Sequence, residues 1–484
     1  MEVKDLQPKQ VFEIFDQITK VPRPSKKEAK IRQYLLDFAA AHGIACKTDA
    51  IGNVRMWIPA TPGHENAKRI ALQGHMDMVA EKNSDVEHDF ENDPIETVVD
   101  GEWVRAKGTT LGADNGIGVA AALAALTDKE LVHGPLSALF TVDEETALTG
   151  ATNLGEGMIE ADILLNLDSE EEAEMCIGCA GGIDTTCTFK YTPTEAPADY
   201  VYFRIDFKGM QGGHSGTDIN VGRACANKIL VRFIWSLMQD GDVAIAELNG
   251  GNLRNAIARE AEAVIGVPAA RKEELSTKLN AYIADITAEY HGVENIVTTI
   301  ESVATPSKVI DTDTATRVVR ALYSAPHGVI SMSRDIEGLV ETSTNLASVK
   351  MQPNNEILVT TSQRSSVESR KYDIANQVEA LFTLAGATVT HGDGYPGWTP
   401  NPDSEILKLS IKAYEDLYGI TPSAIALHAG LECGYFSGLY PDLDMVSFGP
   451  TLRDVHSPKE RMHIPAVEKF WNHLRRIIEM VAKA

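Results

Sequence analysis

Residues 136–145, Leu-Ser-Ala-Leu-Phe-Thr-Val-Asp-Glu-Glu, form an apolar, strand-like run that ends in three carboxylates, Asp143, Glu144 and Glu145. Adjacent acids repel one another, and burying any of them is costly unless a cation or a hydrogen-bond donor meets it. Taken alone, such a stretch reads as a solvated acidic turn before a helix. Its company in the chain argues for more. Upstream, Arg69-Ile-Ala-Leu-Gln73 is a short apolar strand that delivers Gly74-His75-Met76-Asp77, and Leu111-Gly-Ala-Asp114-Asn115-Gly116 opens an Ala-rich helix to about Leu126. Downstream, the strand Ile163-Leu-Leu-Asn-Leu-Asp168 ends in a further acid. Strands alternating with helices predict an α/β sheet covered on both faces. In such sheets function gathers at the carboxyl ends of strands, where His75, Glu144, Glu145 and Asp168 all fall.

The chain has 484 residues, 44% hydrophobic and 23% charged, which is ordinary globular composition and long enough for two domains. No stretch approaches the ~18 apolar residues of a membrane span. The opening Met1-Glu2-Val3-Lys4-Asp5-Leu6 lacks a basic segment followed by an apolar one, so no secretory signal is expected, and the six cysteines are read as reduced thiols of a cytoplasmic protein. A net charge of −25 argues against a nucleic-acid partner, which needs a basic footprint.

From about residue 186 the texture changes. Strands are predicted at 199–209, 242–249, 253–266 and 295–303, with helices at 217–239 and 271–290. A similar order follows, with helices 311–324 and 368–385 and strands near 344–351, 355–363 and 387–391, suggesting two repeats that share a central strand. The Gly- and Pro-rich segment 392–403 reads as a linker. After it α/β alternation resumes with helix 403–418, strands 423–428 and 444–448, and helix 465–483. The simplest organisation is a catalytic domain of residues 1–185 and 398–484 interrupted by an inserted α+β domain, residues 186–397.

His75 and Asp77, two apart at a strand end, point the same way, so the carboxylate can fix the imidazole tautomer that coordinates a metal. Alone, the pair reads equally as a structural hydrogen bond. Asp114 by itself reads as a helix N-cap, Asp168 as a turn residue and His456 as a surface histidine. Together, two histidines and several carboxylates gathered mostly at strand ends have the ligand types of a pair of zinc-like ions, and such pairs ~3.5–4 Å apart share a bridging carboxylate and water. A neighbouring carboxylate is then left to act as general base.

Gly74-His75-Met76-Asp77-Met78-Val79, Gly112-Ala113-Asp114-Asn115-Gly116, Asp143-Glu144-Glu145, the strand-ending Asp168 and Val455-His456-Ser457-Pro458 resemble, in order and essentially end to end, the di-zinc exopeptidase family that includes carboxypeptidase G and the aminoacylases. The length and Gln211-Gly212-Gly213-His214-Ser215-Gly216 are similar to its bacterial branch acting on Xaa-His dipeptides. The resemblance implies a zinc-exopeptidase-like catalytic domain with a mixed sheet and an inserted lid that also forms a homodimer interface. It implies two Zn2+, with Co2+ or Mn2+ as substitutes: His75 and Asp168 on one ion, Glu145 and His456 on the other, Asp114 bridging. Asp77 would orient His75, Glu144 would be the base, and the Asp114–Asn115 peptide would be cis. His214 would reach the scissile carbonyl oxygen from its own or a partner subunit, and Asn255 and Arg364, on lid strands, and Gly430, on a loop, would line the substrate. Asp143 receives no role.

The implied activity is hydrolysis of dipeptides such as β-Ala-His. The alternatives are a related amidohydrolase acting on N-acylamino acids or longer peptides, and a metal-binding scaffold without catalysis, against which the complete ligand set and Glu144 both argue. Cys176-Ile-Gly-Cys179 is read as structural, Glu170-Glu171-Glu172 as a solvated loop, and His428 and His463 as structural histidines.

Overall fold

The computed structural model describes residues 2–484, which divide into two compact units. The first runs to Gly178 and resumes over Trp398–Ala426 and Leu431–Ala484; the second comprises Cys179–Gly397 and Leu427–Gly430.

The first unit is built on an eight-stranded sheet. At its centre Leu136–Thr141, Ile70–His75, Ile163–Asn166 and Asp444–Ser447 run parallel. Every residue of the first three is buried, which is why they read as unbroken apolar runs rather than alternating ones. Val54–Ile58 joins Leu136–Thr141 antiparallel, so the sheet is mixed. The parallel register pairs His75 with Thr141 and Gln73 with Asn166. The residues that follow these strands, Asp77, Asp143–Glu145 and Asp168, therefore leave the sheet at one level. The helix Ala113–Thr127 packs on Ile70–His75 and on the helix Lys9–Ile18. It is buried from Ala113 to Leu126, and its alanines let it lie close to its neighbours on every side.

Near the C-terminus, the helix Ile464–Lys483 packs on Glu405–Tyr418. His473 is 1% exposed, set against the rings of Tyr414 and Phe448, with Nε2 donating to the Ser410 carbonyl at 2.8 Å. Burial pulls its pKa down to about 4, against 6.5 for the free side chain. The unfolded chain therefore takes up a proton near pH 6.5 that the folded chain refuses until about 4. Folding stability falls as pH drops through that window, by roughly 3 kcal/mol from this one group. His473→Gln, which can keep the bond to Ser410 without titrating, is expected to lose this part of the pH dependence. Melting curves of both proteins from pH 7 to pH 4 check it, and a constant gap between them would refute it.

The second unit is a nine-stranded antiparallel sheet flanked by the helices Ala226–Met238, Lys272–Glu289, Thr312–Ser324 and Glu368–Leu384. Its strands run Val297–Val303, Tyr200–Lys208, Ala261–Pro268, Ala244–Gly250, then Val340–Gln352, Glu356–Ser365, Gly181–Lys190, Thr388–His391, with Gly328–Met332 added on Val340–Gln352. The two sets of four have mirrored order and meet at the pair Gly250↔Val349. Two halves are thus present, but no central strand is shared. The second half takes its strand Gly181–Lys190 from before the first half, so the unit begins at Cys179 rather than at 186. The predicted helix 217–239 begins only at Ala226, because Gly216 to Gly222 is spent on turns, and the predicted strand 253–266 begins only at Ala261.

Candidate active site

The strand ends of the first unit bring His75, Asp114, Glu145, Asp168 and His456 together. His75 Nε2 lies 3.0 Å from Asp114 Oδ1 and 3.3 Å from Asp168 Oδ1. His456 Nε2 lies 3.0 Å from Asp114 Oδ2 and 2.9 Å from Glu145 Oε2. One aspartate thus faces a different imidazole with each of its oxygens. Ligand atoms of His75, Asp114 and Glu145 all lie within 4.8 Å of one another. Glu145 Oε1 and Asp168 Oδ1 are buried without a hydrogen-bond donor. Orphaned carboxylate oxygens beside two imidazoles are the donor set of a cation site, and the residues present fit a pair of divalent ions.

The electrostatics agree. Hydrogen bonds that His456 donates to Asp114 and Glu145 raise its pKa to about 11. Burial alone would lower His75, but the Asp168 charge and the close carboxylates of Asp114 and Asp77 raise it well above its ordinary value. An imidazole can ligate a cation only through an unprotonated nitrogen, so metal binding at these histidines would be coupled to proton loss. Burial pushes Asp168 up to about 6 and drives Glu144 well above the carboxylate range, with Asp168, Glu145 and Glu432 adding repulsion to Glu144.

Asp77, fully buried, does more than face His75 Nδ1 at 3.3 Å. Its Oδ1 accepts from the backbone N–H of Glu144 at 3.1 Å, and its Oδ2 accepts from that of Glu145 at 3.4 Å and from Ser25 Oγ at 2.7 Å. Asp143 now has a physical account. At φ 49° it turns the chain out of the strand, and its carboxylate accepts from Thr146 Oγ1 at 2.5 Å and from Thr149 Oγ1. Its own N–H is held by Glu28 Oε1 at 3.1 Å. The turn carrying Glu144 and Glu145 is thereby fixed from both sides.

The Asp114–Asn115 peptide is cis. Gly112 has φ 68°, and a Cβ there would stand 2.6 Å from Arg23 Nη2; a Cβ on Gly116 would meet the same atom at 2.6 Å. These two glycines make room for Arg23, which is 2% exposed and donates to the carbonyls of Met76 at 3.1 Å, Asp77 at 2.6 Å and Gly112. Burial lowers the pKa of this guanidinium, and the charge of Asp77 opposes that. Below the sheet end, Glu432 is 2% exposed and accepts from Gln73 Nε2 at 2.6 Å and Thr141 Oγ1 at 2.8 Å. Glu170 lies half-buried on its loop, where burial, then the charges of Asp114 and Asp168, push it up to about 8. Glu171 and Glu172 pair with Arg453 and Lys469.

In the second unit, His214 Nδ1 accepts backbone N–H bonds from Gly216 and Thr217, both at 3.2 Å. An acceptor at Nδ1 places the ring proton on Nε2, and burial with the Arg364 charge lowers the pKa, keeping the ring neutral. Arg364 is buried on the strand Glu356–Ser365, with Nη1 donating to Tyr395 Oη at 2.5 Å and Nε to Ser215 Oγ at 3.4 Å. Gly430 lies against the Tyr395 ring, where a Cβ would come within 2.9 Å of Cε2. Asn255 is exposed on a loop rather than on the expected strand, its carbonyl accepting from Ser215 N at 2.8 Å. Sequence reading missed Tyr395, Arg23 and Glu432. The Gly394-Tyr395-Pro396 run looked like linker, although a tyrosine among glycines was a signal in itself.

The polar cluster at the carboxyl edge of a mixed α/β sheet has the donor set of a divalent-cation site. The chain belongs to peptidase family M20/M25/M40, whose model matches residues 71–480. It is 42% identical over 481 residues to the cytosol non-specific dipeptidase of Escherichia coli (strain K12), covering 99% of each chain. The crystal structure of aminoacylhistidine dipeptidase from Vibrio alginolyticus is similar with a TM-score of 0.92 and 44% identity, over 99% of this chain and 98% of that one. The expected fold class and the expected enzyme class, a hydrolase of peptide bonds, both stand on this membership.

Proposed function

We propose that this chain is a di-zinc dipeptidase cleaving Xaa-His dipeptides such as β-Ala-His along with other dipeptides. The observation that carries the reading is the single buried aspartate, Asp114, set between two imidazoles with Glu144 beside them; the printed names of the two similar proteins support the substrate class. His75 and Asp168 would hold one ion and Glu145 and His456 the other, with Asp114 between them. The ions would supply Lewis acidity toward the scissile carbonyl and lower the pKa of water.

The remaining work falls to side chains. Glu144 takes a proton from the attacking water and passes it to the leaving amine, and its raised proton affinity suits the interval in which it carries that proton. Asp77 sets the His75 ring and, through two backbone N–H groups, the place of Glu144 and Glu145. His214 donates Nε2–H to the developing oxyanion. Arg364, its plane fixed by Tyr395 and Ser215, holds the substrate carboxylate, and Asn255 and Gly430 line the substrate. No helix among the described residues is long and apolar enough to cross a membrane. The E. coli protein is named for the cytosol, and we assign this chain there, as a homodimer joined through residues 186–397.

Metal-depleted protein reloaded with Zn2+, Co2+ or Mn2+ and assayed on β-Ala-His, other dipeptides, tripeptides and N-acylamino acids tests the reading. Activity is expected to return with a divalent ion and to favour dipeptides by at least about tenfold in kcat/KM, the scale on which one well-placed contact discriminates. Preference for tripeptides or acylated substrates would overturn the substrate class. Sedimentation of the same preparations as a single chain mass would overturn the dimer.

A further inference from the structure

The segment Leu111–Asp114 is a turn ahead of the regular helix: Gly112 has φ 68°, and the backbone at Asp114 and Asn115 is not helical. The four backbone N–H groups of this turn share one acceptor. Glu460, 2% exposed, accepts from Leu111 N at 2.7 Å and Gly112 N at 3.0 Å with Oε2, and from Ala113 N at 2.8 Å and Asp114 N at 3.4 Å with Oε1. Convergent N–H donors of this kind stabilise a buried carboxylate by satisfying its lone pairs. This one comes from 346 residues away, on the loop that carries His456, and that loop is itself tightened by the bond from Glu460 N to Ser457 O at 3.0 Å. Glu460 holds the N–H groups of the turn while Arg23 donates to the Gly112 carbonyl and to those of Met76 and Asp77. Two buried charged residues thus fasten the segments bearing His75, Asp114 and His456.

We propose that Glu460 is a positioning residue of the metal centre, clamping the Leu111–Asp114 turn to the His456 loop so that both ligands are in place before an ion arrives. The inference rests on the proposed ligand roles of Asp114 and His456. It gives Glu460 no contact with substrate or with the reacting atoms. Its action is to hold the backbone from which Asp114 projects and, four residues along the chain, to anchor His456. Partners of this kind typically change metal affinity 10- to 100-fold when removed.

Two measurements test it. Hydrogen exchange on the metal-free wild-type protein should find the amides of residues 111–114 slow, and Glu460→Gln, which replaces one accepting oxygen by an NH2 group, should make them fast. Cobalt titration of folded Glu460→Gln should show affinity weakened by about tenfold or more with a changed visible absorption spectrum, while Glu460→Asp, which keeps the charge with a shorter reach, should fall between the two. A merely structural role would lower the melting temperature and leave the affinity and spectrum of the folded protein as in wild type, and that result overturns the proposal. Should neither variant fold, fast exchange of these amides in the metal-free wild type overturns it and slow exchange upholds it. A wild-type protein that binds no cobalt sinks the ligand assignment instead, and exchange still decides whether the clamp exists.

Discussion

Glu144→Gln is expected to lower kcat by about 10²–10⁴, the range a positioned general base contributes, while metal content stays at the wild-type level. The amide has the shape of the carboxylate, and the backbone N–H of residue 144 that Asp77 Oδ1 accepts is untouched by the exchange. The turn is further held by Asp143 through Thr146 and Thr149, so the variant should differ in its ability to take a proton and in little else. Steady-state kinetics on β-Ala-His, with metal analysis of the same sample, check this. Full activity with metal bound would remove Glu144 from the mechanism.

The second large effect is expected at Asp114. Its Oδ1 and Oδ2 each stand 3.0 Å from a different histidine, so Asp114→Ala removes the group common to both halves of the centre. Metal content should fall from about two ions per chain to below one, because a paired site depends on its bridging carboxylate, and dipeptidase activity should fall to background. Added Zn2+ at a hundredfold excess over its Kd should stabilise the wild type by about 2.7 kcal/mol and the variant hardly at all. Equal stabilisation of the two proteins would show that the ions, if bound, do not meet at Asp114.

Much of this site was legible in the sequence because its pieces are local. Strand ends such as Gln73-Gly74-His75 and Leu167-Asp168 announce themselves by an apolar run that stops on a polar residue, and parallel register then aligns them without further information. Most of the helices and strands of the second unit were foreseen to within a few residues for the same reason, since their periodicity is written in the segment itself. The exceptions are instructive. The residues Thr217 to Cys225 continue plausibly into a helix, yet the turn that folds Gly216 and Thr217 back onto His214 Nδ1 takes them first. Glu460 and Arg23 carry no local sign of what they do, because Ser457-Pro458-Lys459-Glu460 and Val21-Pro22-Arg23-Pro24 look like surface loops. Their partners are backbone groups brought near only by the completed fold. The mirrored order of the second sheet was half visible: the repeated element order shows in sequence, but only pairing reveals that its strand Gly181–Lys190 precedes the other half.

Asp77 has a consequence for how such an enzyme can diversify. One carboxylate faces the His75 imidazole and accepts from the backbone amides of both Glu144 and Glu145. Substitutions at these positions are expected to couple to one another by about 0.5–3 kcal/mol, which double-mutant cycles would read. Tyr395 and Gly430, in the second unit, share none of these hydrogen bonds, so changes there should combine additively with changes at Asp77. Substrate preference is therefore expected to be easier to alter at those two positions than at Asp77.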